Sequence, residues 1–344
     1  MKRTLAAALA VAAAVLSPAA PALAAEGDVT WTVRTASNSY GNDRSSYSYS
    51  VNPGGTIQDG LVVANRGRTP LNLGVYTSDG FTTDAGRLDL RGKDDKQTGI
   101  GAWVKAAGRT VAVQPGRTAQ VPFTVAVPPN ATPGDYVGGI VTTLTQPDQQ
   151  AGINVERRLG IRIKLRVGGP LKPALSIENL SVDYHGTANP FGTGGATVSY
   201  TIHNTGNATL SARQAVEATG PFGRLSAEAG AIAAPPELLP GESWQVRAPV
   251  KDVAPAFDVA VTATLTPLLT DASGSTTSLD PVAVTVHAFV VPWTLVLLLV
   301  VLIALVAGGV VLARRNRTRR QAREDARVKE AVARALRDKE TLAG

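Results

Sequence analysis

Apolar and polar positions alternate with a period of two along much of the chain. Val121, Phe123, Val125 and Val127 share one phase, with Pro122, Thr124 and Ala126 between them. Val198, Tyr200 and Ile202 alternate with Thr201 and His203, and Val282, Val284 and Val286 with Ala283, Thr285 and His287. A period of two in Val, Thr and aromatic residues, bounded by Pro, Gly and Asn, predicts half-buried strands. No amphipathic helix of three turns is legible before residue 290. Residues 25–291 therefore read as all-β, and many short strands separated by turn signals predict β-sandwiches. A run of Gly168-Gly169-Pro170-Leu171-Lys172-Pro173 ends one strand and opens a new unit. The expected domains are 25–169 and 170–291.

The two halves share their punctuation. In the first, Leu61-Val62-Val63-Ala64-Asn65-Arg66-Gly67 is a strand entering an Asn-x-Gly turn, and Gln114-Pro115-Gly116 precedes the strand Ala119–Val127. In the second, Tyr200-Thr201-Ile202-His203-Asn204-Thr205-Gly206 is followed by Leu239-Pro240-Gly241 and a strand Ser243–Val250. Asn and Gly tolerate positive φ, and Pro-Gly fits the centre of a type II turn. Two related immunoglobulin-like sandwiches in tandem are the expectation.

The ends follow another pattern. Lys2 and Arg3, an apolar run Leu5–Leu16, and the small-x-small site Ala22-Leu23-Ala24 have the form of a secretory signal over residues 1–24. From Pro292 to Ala313 the chain carries no charge. As a helix these 22 residues span ~33 Å, enough for a ~30 Å hydrocarbon core. Trp293 falls where an interfacial aromatic is expected, and Arg314, Arg315, Arg317, Arg319 and Arg320 follow the span at once. No Lys or Arg occurs between Asp252 and Ala313. That asymmetry predicts a single-pass protein of the cell membrane, with residues 25–291 outside and a short basic, helical tail, 314–344, in the cytoplasm. The last strand is expected at Pro281–Val286, leaving His287–Val291 as a short link that holds the second domain at the bilayer.

The formal charge is +7, but it belongs to the ends. Lys2 and Arg3 supply +2, residues 314–344 carry 11 basic and 5 acidic groups, and residues 25–313 hold 21 basic against 22 acidic. The basic balance thus gives no argument for nucleic acid as a partner. The chain has no Cys, so it can hold no disulfide, thiolate metal site or Cys nucleophile.

Candidate chemistry is sparse. No HExxH, GxSxG or SxxK occurs, and no Gly-rich phosphate loop precedes a helix, so neither an enzyme nor a cofactor is expected. His203 and His287 fall on polar strand phases and read as solvent-facing. Asp79, Asp84, Asp89, Asp94 and Asp95 bring calcium to mind, but their spacing fits no loop template and Arg87, Arg91, Lys93 and Lys96 interleave. A solvated surface loop is the reading, and no metal is expected. Residues 37–50, SNSYGNDRSSYSYS, hold three tyrosines among hydroxyls and amides. Tyr47 and Tyr49 alternate with Val51 as core positions would, which leaves Tyr40 as the surface aromatic able to stack on a sugar ring. Arg162, Lys164 and Arg166, with Arg158 in phase, alternate with Ile161, Ile163, Leu165 and Val167. This cationic row either contacts anionic wall polymer or guards an edge strand against pairing.

Residues 47–145 resemble the head domain of WxL-interacting proteins. The resemblance is carried by SYSVNPGGTIQDGLVVANRGRTPLNLGVYTSDGF, by GIGAWVKAAGRTVAVQPGRTAQVPFTVAVPPNATPGDYVGGIVTTL, and most specifically by PxxATPGDYVGGI within the latter. The order of signal, head domain, second sandwich, one span and basic tail matches as well. The resemblance implies a surface protein of Gram-positive type, whose first domain binds the peptidoglycan-containing cell wall and whose second engages a surface protein partner. A wall-binding scaffold is the expected function; a signalling ectodomain that reports to the cytoplasmic tail is the alternative.

Overall fold

Two pairs of sheets organise the chain between Trp31 and Val290. The computed structural model describes residues 30–148, 153–189, 191–270 and 275–341. The segment expected to be a secretory signal, with Lys2, Arg3 and Ala24, lies outside these. The chain divides into two compact units, the first running through Phe81 and over Leu88–Gly169, the second taking Thr82–Arg87 and everything from Pro170.

In the first unit, β1 (Trp31–Thr35), β3 (Thr56–Asn65), β8 (Thr118–Ala126) and β6 (Val104–Ala106) form a four-stranded sheet in the order β1-β3-β8-β6. The facing sheet runs β2 (Tyr47–Val51), β10 (Ile153–Val167), β9 (Gly134–Asp148), β4 (Leu71–Thr82) and β5 (Leu88–Leu90), with β7 (Thr110–Val113) also paired to β4. One helical turn, α1 (Ile100–Trp103), connects to β6. The expected phase on β8 is observed: Val121, Phe123 and Val125 are buried, as is Val127 just beyond it. They pack with Leu61, Leu73, Ile140, Ile163 and Leu165 in one core drawn from both sheets. Full burial of each such side chain contributes about 1.5–3 kcal/mol.

The most specific motif of the sequence, residues 128–140, acquires a steric reason. Gly138 faces inward, where a Cβ would come 2.5 Å from Ile100 Cβ; Gly139 faces outward, where a Cβ would come 2.7 Å from Leu90 Cδ1. The glycine pair lets α1 close on the core from one side of β9 and the β5 hairpin close on it from the other.

In the second unit, β11 (Leu175–His185), β12 (Gly194–Asn204) and β15 (Ser243–Val253) form one sheet. The other holds β14 (Ala227–Glu228), β13 (Leu210–Thr219) and β16 (Phe257–Thr270), with β17 (Thr276–Ser278) and β18 (Val282–Val290) sharing the far edge of β16. Val198, Tyr200, Ile202, Leu210, Val261 and Leu265 are central to its core. The last strand runs four residues further than the expected Val286, because Phe257–Val261 offer it a partner as far as Val290. The link to the following helix is correspondingly shorter, Val291 and Pro292 alone.

The matching punctuation becomes matching bonding. Asn65 is buried, and its Nδ2 donates to Thr69 O at 2.7 Å and Val113 O at 3.0 Å while its Oδ1 accepts from Gly67 N. Asn204 is buried too, with Nδ2 donating to Ala208 O at 2.8 Å and Leu238 O at 2.9 Å and Oδ1 accepting from Gly206 N. In each unit the backbone oxygen of that Asn accepts from the glycine of the Pro-Gly turn, Gly116 or Gly241. These two glycines have φ of +68° and +81°, as a type II turn requires, and Arg117 N and Glu242 N close the turns onto Gln114 O and Leu239 O. Gly67 and Gly206 are not at positive φ. The Asn-x-Gly turns are built by the amide side chain rather than by backbone handedness.

A single helix, α2 (Trp293–Thr341), ends the described chain. It is long and apolar enough to cross a membrane, and its apolar window is wholly unburied by the rest of the protein, unlike the core helix of a soluble domain. Trp293 is exposed at its start, and Arg314, Arg315, Arg317, Arg319 and Arg320 continue the same helix without a break.

Candidate functional site

The cationic row lies on β10 of the first unit. Ile161, Ile163, Leu165 and Val167 point into the core, and Arg158, Arg162, Lys164 and Arg166 stand on the opposite, outer face. The edge-guard reading does not hold for Lys164 and Arg166. Over Ile163–Val167 β10 is an interior strand, flanked by β9 and, in parallel, by β2. Arg166 is committed within the sheet: its Nε donates to Asp135 Oδ1 at 2.6 Å and its Nη2 to Asp135 Oδ2 at 2.9 Å, the directly opposed residue of β9. Such a two-pronged pair fixes the guanidinium and sets its charge against a carboxylate.

Arg158 and Arg162 stand elsewhere on that face. They flank Gly160, and the three border an open cleft of about 320 Å³ together with Tyr76, Leu88, Asp89, Leu90 and Val141. Tyr76, Val141 and Gly160 are aligned across β4, β9 and β10 by register. Leu71, Leu73 and Val75 are buried on β4, which turns Tyr76 to the outer face. A Cβ on Gly160 would come 3.2 Å from a Val141 methyl and 3.5 Å from Leu90 Cδ1, so the missing side chain is what leaves space between the two arginines. The Arg158 guanidinium stands beside the Tyr76 hydroxyl, which, with Asp89 and Glu156 farther off, holds its pKa above the ordinary arginine value despite some burial. The cleft thus offers an aromatic ring, an apolar floor and two permanent cations, one on each side of a gap, against the single carboxylate of Asp89. That is a binding chemistry for an anionic, partly apolar chain such as a carboxylated glycan or peptide. Tyr76, Leu88 and Leu90 escaped the sequence reading. An aromatic in the outward phase of LNLGVYTS was the available signal for Tyr76; the two leucines are brought over the sheet by a hairpin that no period announces.

Tyr40 lies at the tip of a tight turn in which Asn38 and Gly41 pair through their backbones. Its ring is half-exposed and stands edge-on to Tyr49, with centroids 5.6 Å apart. Tyr47 and Tyr49 are buried, as their phase predicts. Beneath the turn is a group the sequence reading passed over. Asp59 occupies an inward position of β3, its side chain fully buried, and Arg44 Nη1 donates to its Oδ2 at 2.8 Å. Tyr49 Oη donates to the same oxygen at 2.7 Å, and Asn38 Nδ2 and Gly60 N donate to Oδ1 at 2.6 and 2.7 Å. Burial works to raise the Asp59 pKa, but the bonds from Arg44, Tyr49, Gly60 and Asn38 outweigh it and hold the carboxyl below its usual range. The same burial, reinforced by the Asp59 charge, pushes the Tyr47 and Tyr49 hydroxyls well above ordinary tyrosine. Arg44 Nη2 also donates to Ala36 O at 2.9 Å and Asn38 Oδ1 at 3.3 Å, so one guanidinium ties the Tyr40 turn to the core. Tyr40 and the β10 cations come from different elements of the first unit, the turn before β2 and strand β10.

The acidic stretch divides. Asp79 is not in a solvated loop: it is buried on β4, and its carboxylate accepts from the backbone N–H groups of Thr98, Gly99 and Gly101, at 2.6 Å, 3.1 Å and 2.7 Å. Those donors converge because the chain curls into α1 there, making a ready anion nest. Asp89 and Asp95 cap local backbone N–H groups at Leu90 and Gly92. His203 and His287 are partly exposed, each beside a carboxylate, Glu178 at 2.8 Å and Asp258 at 3.0 Å.

Comparison with known proteins gives distant likenesses of structure. No family model matches the sequence, and no curated protein matches it. Among solved structures, the chain is similar to a component of a chaperone–tip adhesin complex of CFA/I fimbriae biogenesis, at 9% identity and a TM-score of 0.38 over 74% of this chain and 98% of that one. It is similar to the class 5 fimbriae chaperone CfaA, at 11% identity and 0.35 over 76% and 100%. It is also similar to a chain of the CsuC–CsuE pre-assembly complex from Acinetobacter baumannii, at 11% and 0.33 over 63% and 89%.

Proposed function

We propose that the protein is a single-pass surface protein whose first sandwich binds a polymer of the cell wall and whose second stands at the membrane and engages a surface protein partner. The observation that carries the reading is the cleft on the first unit, where Tyr76, Arg158 and Arg162 surround an apolar floor. Peptidoglycan presents carboxylated peptides on sugar chains, which match two fixed cations and a ring. A helix able to span the bilayer supplies the tether. Many tethered copies facing one polymer gain from effective concentration, so contacts that are weak singly suffice. The resemblance of residues 47–145 to the head of WxL-interacting proteins supports the same assignment. A signalling ectodomain is the second reading, and one observation favours it: α2 continues unbroken from Trp293 through the arginine cluster to Thr341, a stiff link across the bilayer.

The test is co-sedimentation of the full chain, in detergent micelles, with purified wall sacculi. Binding is expected at 0.05 M salt, weakened several-fold at 0.5 M because exposed charge contacts are screened. The Arg158→Ala/Arg162→Ala variant is expected to lose about tenfold in affinity, and Arg166→Ala, whose guanidinium is already paired with Asp135 outside the cleft, to bind as the parent does. Failure of the parent chain to sediment with sacculi at low salt defeats the proposal.

A further inference from the structure

The second sandwich exposes large apolar side chains at one end only. Among the described residues of its strands and loops they are Phe191, Phe222, Leu225, Phe257 and Phe289, with Phe222 99% exposed. Strand register brings all five together. Phe257 opposes Val290 and Asp258 opposes Phe289 across β16 and β18. Thr219, which leads into the loop of Phe222 and Leu225, opposes Ala260. Gly194, which follows the loop of Phe191, opposes Val253, four residues before Phe257. A Cβ on Gly220 would lie 3.4 Å from Leu225 Cβ and 3.5 Å from Ala256 Cβ, so the loops touch. This is also the end from which the chain enters α2: between Val290 and Trp293 stand two residues, a reach of at most ~11 Å.

The backbone at this end is strained to present these rings. Phe222, Leu225 and Phe257 have φ of +61°, +61° and +64°, and Asp252 has +59°. Four of the six non-glycine residues at positive φ among the described residues are thus collected at one end of one sandwich. For bulky side chains that conformation is unfavourable and persists where something else gains from it. Arg224 is exposed within the same loop, a cation among the apolar groups.

We propose that this end of the second sandwich is a lipid-binding surface: Phe191, Phe222, Leu225, Phe257 and Phe289 dip into the interfacial layer around the first turn of α2, and Arg224 meets lipid phosphate. Aromatic rings with a nearby cation partition to the headgroup level of a bilayer, and an exposed apolar patch continuous with a spanning helix has lipid as its neighbour. The domain is then fixed in tilt and rotation instead of swivelling on its two-residue link. The inference rests on α2 spanning a membrane.

The test uses the absence of cysteine, which makes any introduced thiol unique. Full chains carrying Phe222→Cys, Phe289→Cys, Thr276→Cys at the opposite end, or Leu302→Cys in the middle of the span are nitroxide-labelled and reconstituted in vesicles of phosphatidylglycerol and phosphatidylethanolamine. Collision with oxygen, enriched in lipid, is compared with collision with a water-soluble nickel chelate. The oxygen-to-nickel ratio at 222 and 289 is expected to exceed that at 276 at least threefold, with 302 higher still. Ratios at 222 and 289 equal to that at 276, with 302 in lipid, overturn the inference and leave the anchor standing. Shielding of 222 and 289 from both reagents identifies a protein neighbour and overturns it as well. A water-like ratio at 302 removes the anchor, and the inference falls with it.

Discussion

Asp59 occupies a position on β3 that packing alone would give to an aliphatic residue, and Arg44 is the group that makes it tolerable. With the carboxylate fully buried and the guanidinium partly so, removing either partner leaves a charge without its counter-ion, at a cost of about 3 kcal/mol, the low end for such pairs because other hydrogen bonds to each partner remain. Arg44→Ala and Asp59→Ala are each expected to lower the stability of the first sandwich by about 3 kcal/mol, and the double variant by clearly less than the sum. Calorimetric unfolding of the three variants measures the coupling; additive losses would contradict the pairing. The same cluster sets a pH window. Asp59 has its pKa lowered by folding, so its stabilisation is present above the ordinary carboxylate range near 4 and is lost as pH falls below it. Tyr47 and Tyr49 have theirs raised, so their stabilisation is present below about pH 10 and is lost as pH rises beyond it. The unfolding midpoint is expected to be level from about pH 5 to 9 and to fall on both sides, with a shallower alkaline fall in Tyr49→Phe. At this scale the sequence was half legible. Tyr47 and Tyr49 declared themselves by phase. Asp59 did not, because its partner lies fifteen residues upstream in a Ser/Asn-rich stretch that reads as surface.

Among the elements, the paired asparagines are the strongest sign that the two sandwiches share a plan. Asn65 and Asn204 each close their turn with two Nδ2 bonds to backbone carbonyls and one accepted N–H, and each receives the glycine of a Pro-Gly turn. Replacing either by Ala removes at least one buried hydrogen bond, to Val113 O or to Ala208 O and Leu238 O, at about 1–3 kcal/mol. Asn65→Ala and Asn204→Ala are expected to destabilise by similar amounts, each in its own unit. Proteolysis kinetics at sites in each half would show this, and a loss confined to one variant would break the equivalence. The spacing of Asn-x-Gly and Pro-Gly was readable in advance, whereas the mechanism was not. Turn residues were expected to act through positive φ, which holds at Gly116 and Gly241, while Asn65 and Asn204 act through their side chains. The β10 row had a parallel outcome. Alternation placed Arg162, Lys164 and Arg166 on one face, but the strand's central position and the Asp135 opposite Arg166 depend on which strands meet, and that is not written in a local pattern.

For the whole molecule, the architecture combines two sandwiches with one long apolar helix, and the apolar surface is distributed to match. Among the described residues, the first sandwich leaves only Tyr40 and Leu159 as large exposed apolar side chains, while the second gathers five at the end that enters α2. The span and the period-two strands were legible because each is a one-dimensional signal. The gathering was not, since Phe191, Phe222, Leu225, Phe257 and Phe289 are spread over a hundred residues and meet only through register. The account rests on the sandwiches standing outside the cell with residues after the span inside. In a chain without cysteine, Thr118→Cys in the first sandwich and Ala322→Cys beyond the arginine cluster each give a single reporter. In intact protoplasts, a membrane-impermeant maleimide is expected to label position 118 fully and position 322 only after lysis. Labelling of 322 before lysis, or of 118 only after it, would contradict the account.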